Sequence, residues 1–284
     1  MHELRLKIGP AAFRIGSAWR APIEQLEGLY AAYPKPRHVD FTVRLDPAKP
    51  WRKYLRPSAM IAGDFMLPDA APLPLAQGLL AAEMGMNLQM ALGWRRHLLL
   101  HAGAAEKDGR AIVMTGLSGS GKSTMAALLG ETGWRFMSDE FALLGLEDGA
   151  IHPFPRLVSL KNSGIEALEQ RVGHRRLGPR LRGTPKGDIR HLVPPVDAIE
   201  RMAEPALPKL ILFPRFGERR AVRTVPPGEL FMRLTQASTN YVALGEAGFA
   251  ALTRLCETVP ARAIDYGRGE EGAELIEELW ETLA

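Results

Sequence analysis

Residues 109–124 read GRAIVMTGLSGSGKST. Within them Gly116, Gly121, Lys122 and Ser123 satisfy the spacing G-x-x-x-x-G-K-[ST], in which glycines let backbone N–H groups converge on phosphate oxygens. A lysine at this position reaches the terminal phosphates, and the following hydroxyl can ligate Mg²⁺. Ser118, Gly119, Ser120 and Thr124 complete the candidate loop. Fifteen residues before Gly116 stands His101, and seventeen after Lys122 comes the acid pair Asp139-Glu140. A carboxylate there can hold Mg²⁺ or take a proton from an attacking hydroxyl. A short acidic pair in isolation is equally a loop or a helix cap; the upstream motif is what gives this one a chemical reading.

These side chains need elements to carry them. Ala111–Thr115 predicts a strand leading into the loop, and KSTMAALLGETG a helix leading out, closed by Gly133 and adding its positive dipole end to the loop. RFMSDEF predicts the next strand. One helix and one strand would return the chain beside the loop, so the acids should end at the carboxyl edge of the adjacent parallel strand, where ligands bind in open α/β sheets. An acid on the strand straight after the loop helix is more typical of a kinase than of a switch-type NTPase. Upstream, HLLLHAGAA and GRAIVMTG read as strands around the turn EKDG. FALLGLEDGAI reads as a hairpin turning at Asp148-Gly149, and PKLILFPRF as a buried strand. GAELIEELWETLA predicts an amphipathic helix with Leu275, Ile276, Leu279 and Leu283 on one side.

Residues 1–72 alternate short apolar runs with Pro and Gly and predict an N-terminal, mostly-β, antiparallel module. The Pro-rich stretch at 67–76 marks a boundary, and a helix from about Leu75 to Trp94, with Leu79, Met86 and Met90 on one face, makes 73–97 a connecting segment. Residues 98–284 form the domain that carries the motif. The predicted fold class is α/β.

The chain is 284 residues long, 46% hydrophobic and 24% charged, which suits a soluble globular protein. One cysteine, Cys256, excludes an internal disulfide framework and suits a reducing cytoplasm. The N-terminus has no apolar core of a signal peptide, and the most apolar long window carries Gln77, Glu83, Asn87 and Gln89, so neither secretion nor a membrane span is expected. Net charge is +4, but residues 171–190 hold seven Lys or Arg against one Asp, leaving the remainder slightly acidic. A nucleic-acid binder usually spreads its basic residues over a face and interleaves aromatics. This stretch does neither and predicts a local anion site.

The segment LLLHAGAAEKDGRAIVMTGLSGSGKSTMAALLGETGWRFMSDEFALL resembles the HPr kinase/phosphorylase superfamily, which has a histidine before the loop and an acid pair after it at these spacings. PFPRLVSLKNSGI, GTPKGDIRHLVPP and STNYVALGEAGF are more similar to its branch of HprK-related kinases A, a cousin of lasso-peptide serine kinases. The resemblance implies a P-loop kinase core of the HPr kinase/PEP-carboxykinase type, with ATP, Mg²⁺ and a seryl acceptor on a peptide or small protein. It implies a general-base role for Asp139 and places His101 and Lys122 at the transferred group. Ser123, Asp139 and Glu140 become the metal's oxygen donors. It also brings Lys161, Lys186 and Arg190 to a basic loop that could clamp the phosphoryl group. HPr kinases are oligomeric, which extends to a homo-oligomer here. This chain departs from the family where Leu117 replaces a loop Asp, where Thr124 replaces a Glu, and where VSLKN stands in place of the signature tied to phosphorolysis. Phosphorylase activity is therefore not expected. A small-molecule P-loop kinase and a non-catalytic nucleotide sensor are the alternatives.

Overall fold

The computed structural model of the protein describes residues 1–184 and 187–283. The N-terminal part contains β1 (His2–Ile8), β2 (Ala11–Ser17), α1 (Arg20–Leu29), β3 (Phe41–Pro47), β4 (Ser58–Gly63), β5 (Leu73–Pro74) and α2 (Gly78–Gly93). The remainder runs β6 (His97–Leu100), β7 (Ala102–Lys107), β8 (Arg110–Thr115), α3 (Lys122–Gly130), β9 (Arg135–Ser138), β10 (Ala142–Gly145), β11 (Ile151–His152), β12 (Val158–Lys161), α4 (Ser163–Glu169), β13 (Leu177–Thr184) and β14 (Gly187–Leu192). It closes with α5 (Val196–Glu200), β15 (Leu207–Phe216), β16 (Ala221–Val225), α6 (Pro227–Ala237), α7 (Tyr241–Thr258), β17 (Ala261–Tyr266) and α8 (Gly269–Thr282). The protein is thus mixed α/β.

The largest sheet has the order β16-β17-β15-β8-β7-β9. Its centre is parallel, β8 and β17 flanking β15, while β7 and β16 run antiparallel to their neighbours. Alternation along the central strands divides the apolar residues between two faces. Ile112, Met114, Leu210 and Leu212 pack with α3 and α8; Ala111, Val113, Ile211 and Phe213 pack with α6 and α7. Both faces are covered, which is why these strands read as continuous apolar runs. The turn between β7 and β8 is Asp108-Gly109, both with positive φ, as a tight hairpin requires.

Two features differ from the sequence reading. β9 is parallel to β8 but not adjacent to it, because β7 pairs with both. The β7–β8 hairpin occupies the position that a simple crossover would have given to β9. The N-terminal sheet, in the order β1-β2-β3-β4-β5, is not wholly antiparallel either, since β2 and β3 pair in parallel across the α1 crossover. α1 buries Pro22, Ile23 and Leu26 against that sheet.

α2 lies on the N-terminal sheet with Leu79, Met86 and Met90 buried. Its core continues into Leu99, Leu143, Phe154 and Leu157, so no break in packing falls at residue 97. The small sheet β11-β10-β6 is the shared wall: Leu99 and Leu143 face the N-terminal core, whereas Leu98, Leu100, Ala142 and Leu144 face the core beneath α6 and α7. Asn240, buried at the start of α7, fixes this wall by accepting from the Leu99 amide and donating to the carbonyls of Trp94 and His97. Among the described residues no helix is long and apolar enough to cross a membrane.

Candidate active site

The G-x-x-x-x-G-K-S loop joins β8 to α3 at the carboxyl end of the parallel strands. Gly121 shows why glycine is needed there. Its φ is +94°, and a Cβ would lie 2.7 Å from the Tyr266 hydroxyl and 3.3 Å from Phe216 Cβ. The loop is therefore wound tightly against the ends of β15 and β17. Lys122 is buried at the start of α3, and its Nζ donates to the carbonyls of Gly116 (2.8 Å) and Leu117 (2.9 Å). Burial lowers its pKa, opposed by the charges of Asp139 and Glu140. The Ser120 hydroxyl is buried without a hydrogen-bond partner. Leu117, at the position where the resembled family has an acid, projects into solvent with 85% of its surface exposed. Thr124 sits in the first turn of α3 directly after Ser123, and its hydroxyl lies so close to α4 that a Cβ on Gly164 would come within 2.5 Å of Oγ1.

Asp139 follows β9 with only 5% of its surface exposed. Its Oδ2 accepts the Ser159 N–H at 2.9 Å, while Oδ1 has no hydrogen-bond partner. Burial, and then the neighbouring Glu140 charge, raise its pKa to about 6; the Ser123 hydroxyl, the Ser159 amide and Lys161 act in the opposite direction. Glu140 is partly exposed, with Oε1 3.5 Å from His101 Nδ1. His101 is held by its backbone, the N–H donating to Ala237 and the carbonyl accepting from the Thr115 hydroxyl. His101, Lys122, Ser123, Asp139 and Glu140 thus converge although β7 intervenes between their strands, because β8 and β9 both end at the same sheet edge.

Mg²⁺ favours oxygen ligands and commonly combines one or two carboxylates with substrate phosphates. The unpartnered Asp139 Oδ1, with the Ser123 hydroxyl near that carboxylate, is a donor of the required type. Among the described residues, no group of three or more His, Cys, Asp or Glu could hold a metal ion.

In the basic segment, where the composition predicted a local anion site, several arginines are ion-paired. Arg190 is ion-paired with Glu169 and donates to the Gly178 carbonyl; on β14 it faces away from Ile189 and His191, the two residues of that strand that border the Asp139 cleft. Arg171 pairs with Glu270, Arg176 with Glu131, and Arg180 with Glu166 and Asp188. Most of the local excess charge is therefore matched by acids of this same chain. Lys186 lies outside the described residues. Lys161 does reach the site, on the β12 face it shares with Ser159.

Several residues at the site carried no sequence signal. The cleft leading to Asp139 is bordered by α2 on one side and by β12 and β14 on the other. In its wall a fully buried pair joins Arg156 to Glu83 of α2, with Arg156 also donating to Asn87. Tyr30 donates to the other Glu83 oxygen at 2.8 Å. Burial would lower the Arg156 pKa, but the Glu83 charge more than offsets this and raises it. The only hint in the sequence is a lone arginine inside the apolar stretch PFPRLVSL. Comparison with protein-family models and with curated protein sequences gives no match.

Proposed function

We propose that this chain is an ATP- and Mg²⁺-dependent kinase of the P-loop, HPr-kinase-like type, working in the cytoplasm and transferring the γ-phosphoryl group to a seryl hydroxyl of a peptide or small protein. The observation that carries this reading is the buried Asp139 carboxylate, one oxygen held by Ser159 and the other unpartnered, at the sheet edge that also bears Lys122 and Ser123.

The loop amides and the dipole of α3 would cradle the phosphates, and Lys122 would exchange its two loop carbonyls for phosphate oxygens. Asp139, with its pKa at about 6, is ionised at neutral pH yet more basic than an exposed aspartate, which suits a general base. Its Oδ1 takes the proton from the acceptor hydroxyl. The acceptor oxygen forms the new P–O bond as the bond from the γ-phosphorus to the bridging oxygen breaks, and ADP leaves. His101 and Glu140 border the same space, with Glu140 keeping the Asp139 pKa high. Ser123 and Glu140 would be the oxygen donors for Mg²⁺, with Asp139 Oδ1 left to the acceptor hydroxyl; the ion would supply charge neutralisation at the phosphates.

The test is transfer of labelled γ-phosphate, with Mg²⁺, to serine-containing peptides and to proteins of a cell lysate. Phosphoserine in an acid hydrolysate is the expected product. Label confined to small molecules would replace this reading with a metabolite kinase, and ATP binding without any transfer would replace it with a nucleotide sensor.

A further inference from the structure

We propose that the loop joining β3 to β4 docks the protein on an anionic lipid surface. The proposal is independent of the kinase reading and concerns a face of the N-terminal sheet that the candidate active site does not use.

Residues 49–56 read KPWRKYLR. Pro50–Lys53 form one 3₁₀ turn, and the amides of Tyr54 and Leu55 both donate to the Trp51 carbonyl, at 3.1 and 2.9 Å. Side chains three residues apart eclipse in such a turn, so Trp51 and Tyr54 project together, with Leu55 beside them. Trp51 is 56% exposed, Tyr54 80% and Leu55 66%. Single exposed apolar residues are ordinary, whereas a cluster of large ones marks an interaction surface. The loop is fastened in this projecting form. Trp19 Nε1 donates to the Lys53 carbonyl at 2.8 Å, and Arg52 Nη1 to the Arg56 carbonyl at 3.2 Å. Arg56 is held at a φ of +45°, a left-handed conformation that is costly for a residue with a side chain and recurs at functional sites.

Charge narrows the partner. No acid stands between Asp46 and Asp64. Among the described residues Lys49, Arg52, Lys53 and Arg56 form no ion pair, unlike Arg171, Arg176 and Arg190. The Lys49 ammonium lies 5.2 Å from the Trp51 ring centre and that of Lys53 5.5 Å from Tyr54, so cations and aromatics share one surface. Single-stranded nucleic acid also uses cations and aromatics, but in a groove that tracks its backbone. Tyr54, four-fifths exposed, stands on a convex tip, and Leu55 offers a base no ring to stack on. A second copy in a two-fold contact would bring the same cations face to face. A bilayer with acidic headgroups suits every feature. Trp and Tyr settle at the headgroup level, an exposed leucine reaches the acyl boundary, and lysines and arginines near the surface are drawn to anionic lipid.

The full chain would be mixed with vesicles of phosphatidylcholine alone, or of phosphatidylcholine with phosphatidylserine, and binding read by co-sedimentation and tryptophan emission. The expected result is sedimentation and a blue-shifted emission with the anionic vesicles only, both lost when salt is raised from about 0.1 M to about 1 M. Trp51→Phe should still sediment without the blue shift. Lys49→Gln combined with Lys53→Gln should partition at least ~10-fold less, two surface cations having been removed. Leu55→Ser, at a solvent-exposed position, should also bind more weakly than wild type. No sedimentation with anionic vesicles would overturn the proposal, as would equal binding by wild type, the double lysine variant and Leu55→Ser. A blue shift retained in Trp51→Phe would overturn it too, by placing the contact elsewhere. A blue shift produced by single-stranded DNA and by neither kind of vesicle would replace the membrane with a nucleic acid.

Discussion

Replacing Asp139 with asparagine should stabilise the protein above pH 7. Burial and Glu140 raise the folded-state pKa of Asp139 from 3.8 to about 6. Between these two values the folded state holds a proton that the unfolded state has released, so stability falls as pH rises through that window. At 1.36 kcal/mol per unit, the group costs the folded protein about 3 kcal/mol once pH exceeds 6. Asparagine keeps an oxygen for the Ser159 N–H and carries no charge, so it mimics the protonated form. Thermal melts of wild type and Asp139→Asn from pH 4 to pH 8 would measure the difference. The two should melt together near pH 4 and diverge as pH rises, with the variant higher by roughly 5–10 °C at pH 8 for a chain of this size. A variant that melts lower at every pH, or a difference that does not change with pH, would refute the assignment of Asp139 as a buried, strained carboxylate.

Glu140→Gln should remove the second-largest contribution raising the Asp139 pKa, moving the acid limb of the kcat/KM–pH profile below its wild-type position near pH 6; an unmoved limb would separate Glu140 from the base. Gly121→Ala forces a side chain into a positive φ and onto the Tyr266 hydroxyl, so ATP affinity should fall more than 10-fold by calorimetry; Tyr266→Phe in the same chain should restore only part of it, because the backbone strain remains. Arg135→Ala would leave the buried Glu106 with only the half-exposed Arg201, 3.6 Å away, and the Gly109 amide, and would free the carbonyls of Arg201 and Glu204; urea titration should show a loss of about 3 kcal/mol, the low end for a broken buried pair.

What the sequence made legible were the features whose causes lie within a few residues. The strand-loop-helix around Gly116 to Ser123, the Asp108-Gly109 turn, α2 and α8 all follow from local spacing and composition. The convergence of His101, Lys122 and Asp139 was legible as well, because strand polarity alone puts the ends of β8 and β9 at one edge. Features that depend on distant partners were not. β7 inserts between β8 and β9 through pairings that neither strand's composition encodes. The partners of the arginines at 171–190 were hidden, Arg171 finding its acid 99 residues away. Arg156 meets the Glu83 carboxylate across 73 residues, and its place beside the Asp139 cleft depends on how α2 packs. α1 escaped notice because its ten residues, with Pro22 in the first turn, sit among strand-like runs in which a single apolar face is hard to see.

The most direct test of the central claim is to measure ATP affinity and phosphoryl transfer together, in wild type and in Asp139→Asn. The account predicts equal ATP affinity and a fall in transfer of at least ~100-fold, the range expected for loss of a general base. Undiminished transfer by Asp139→Asn would contradict it.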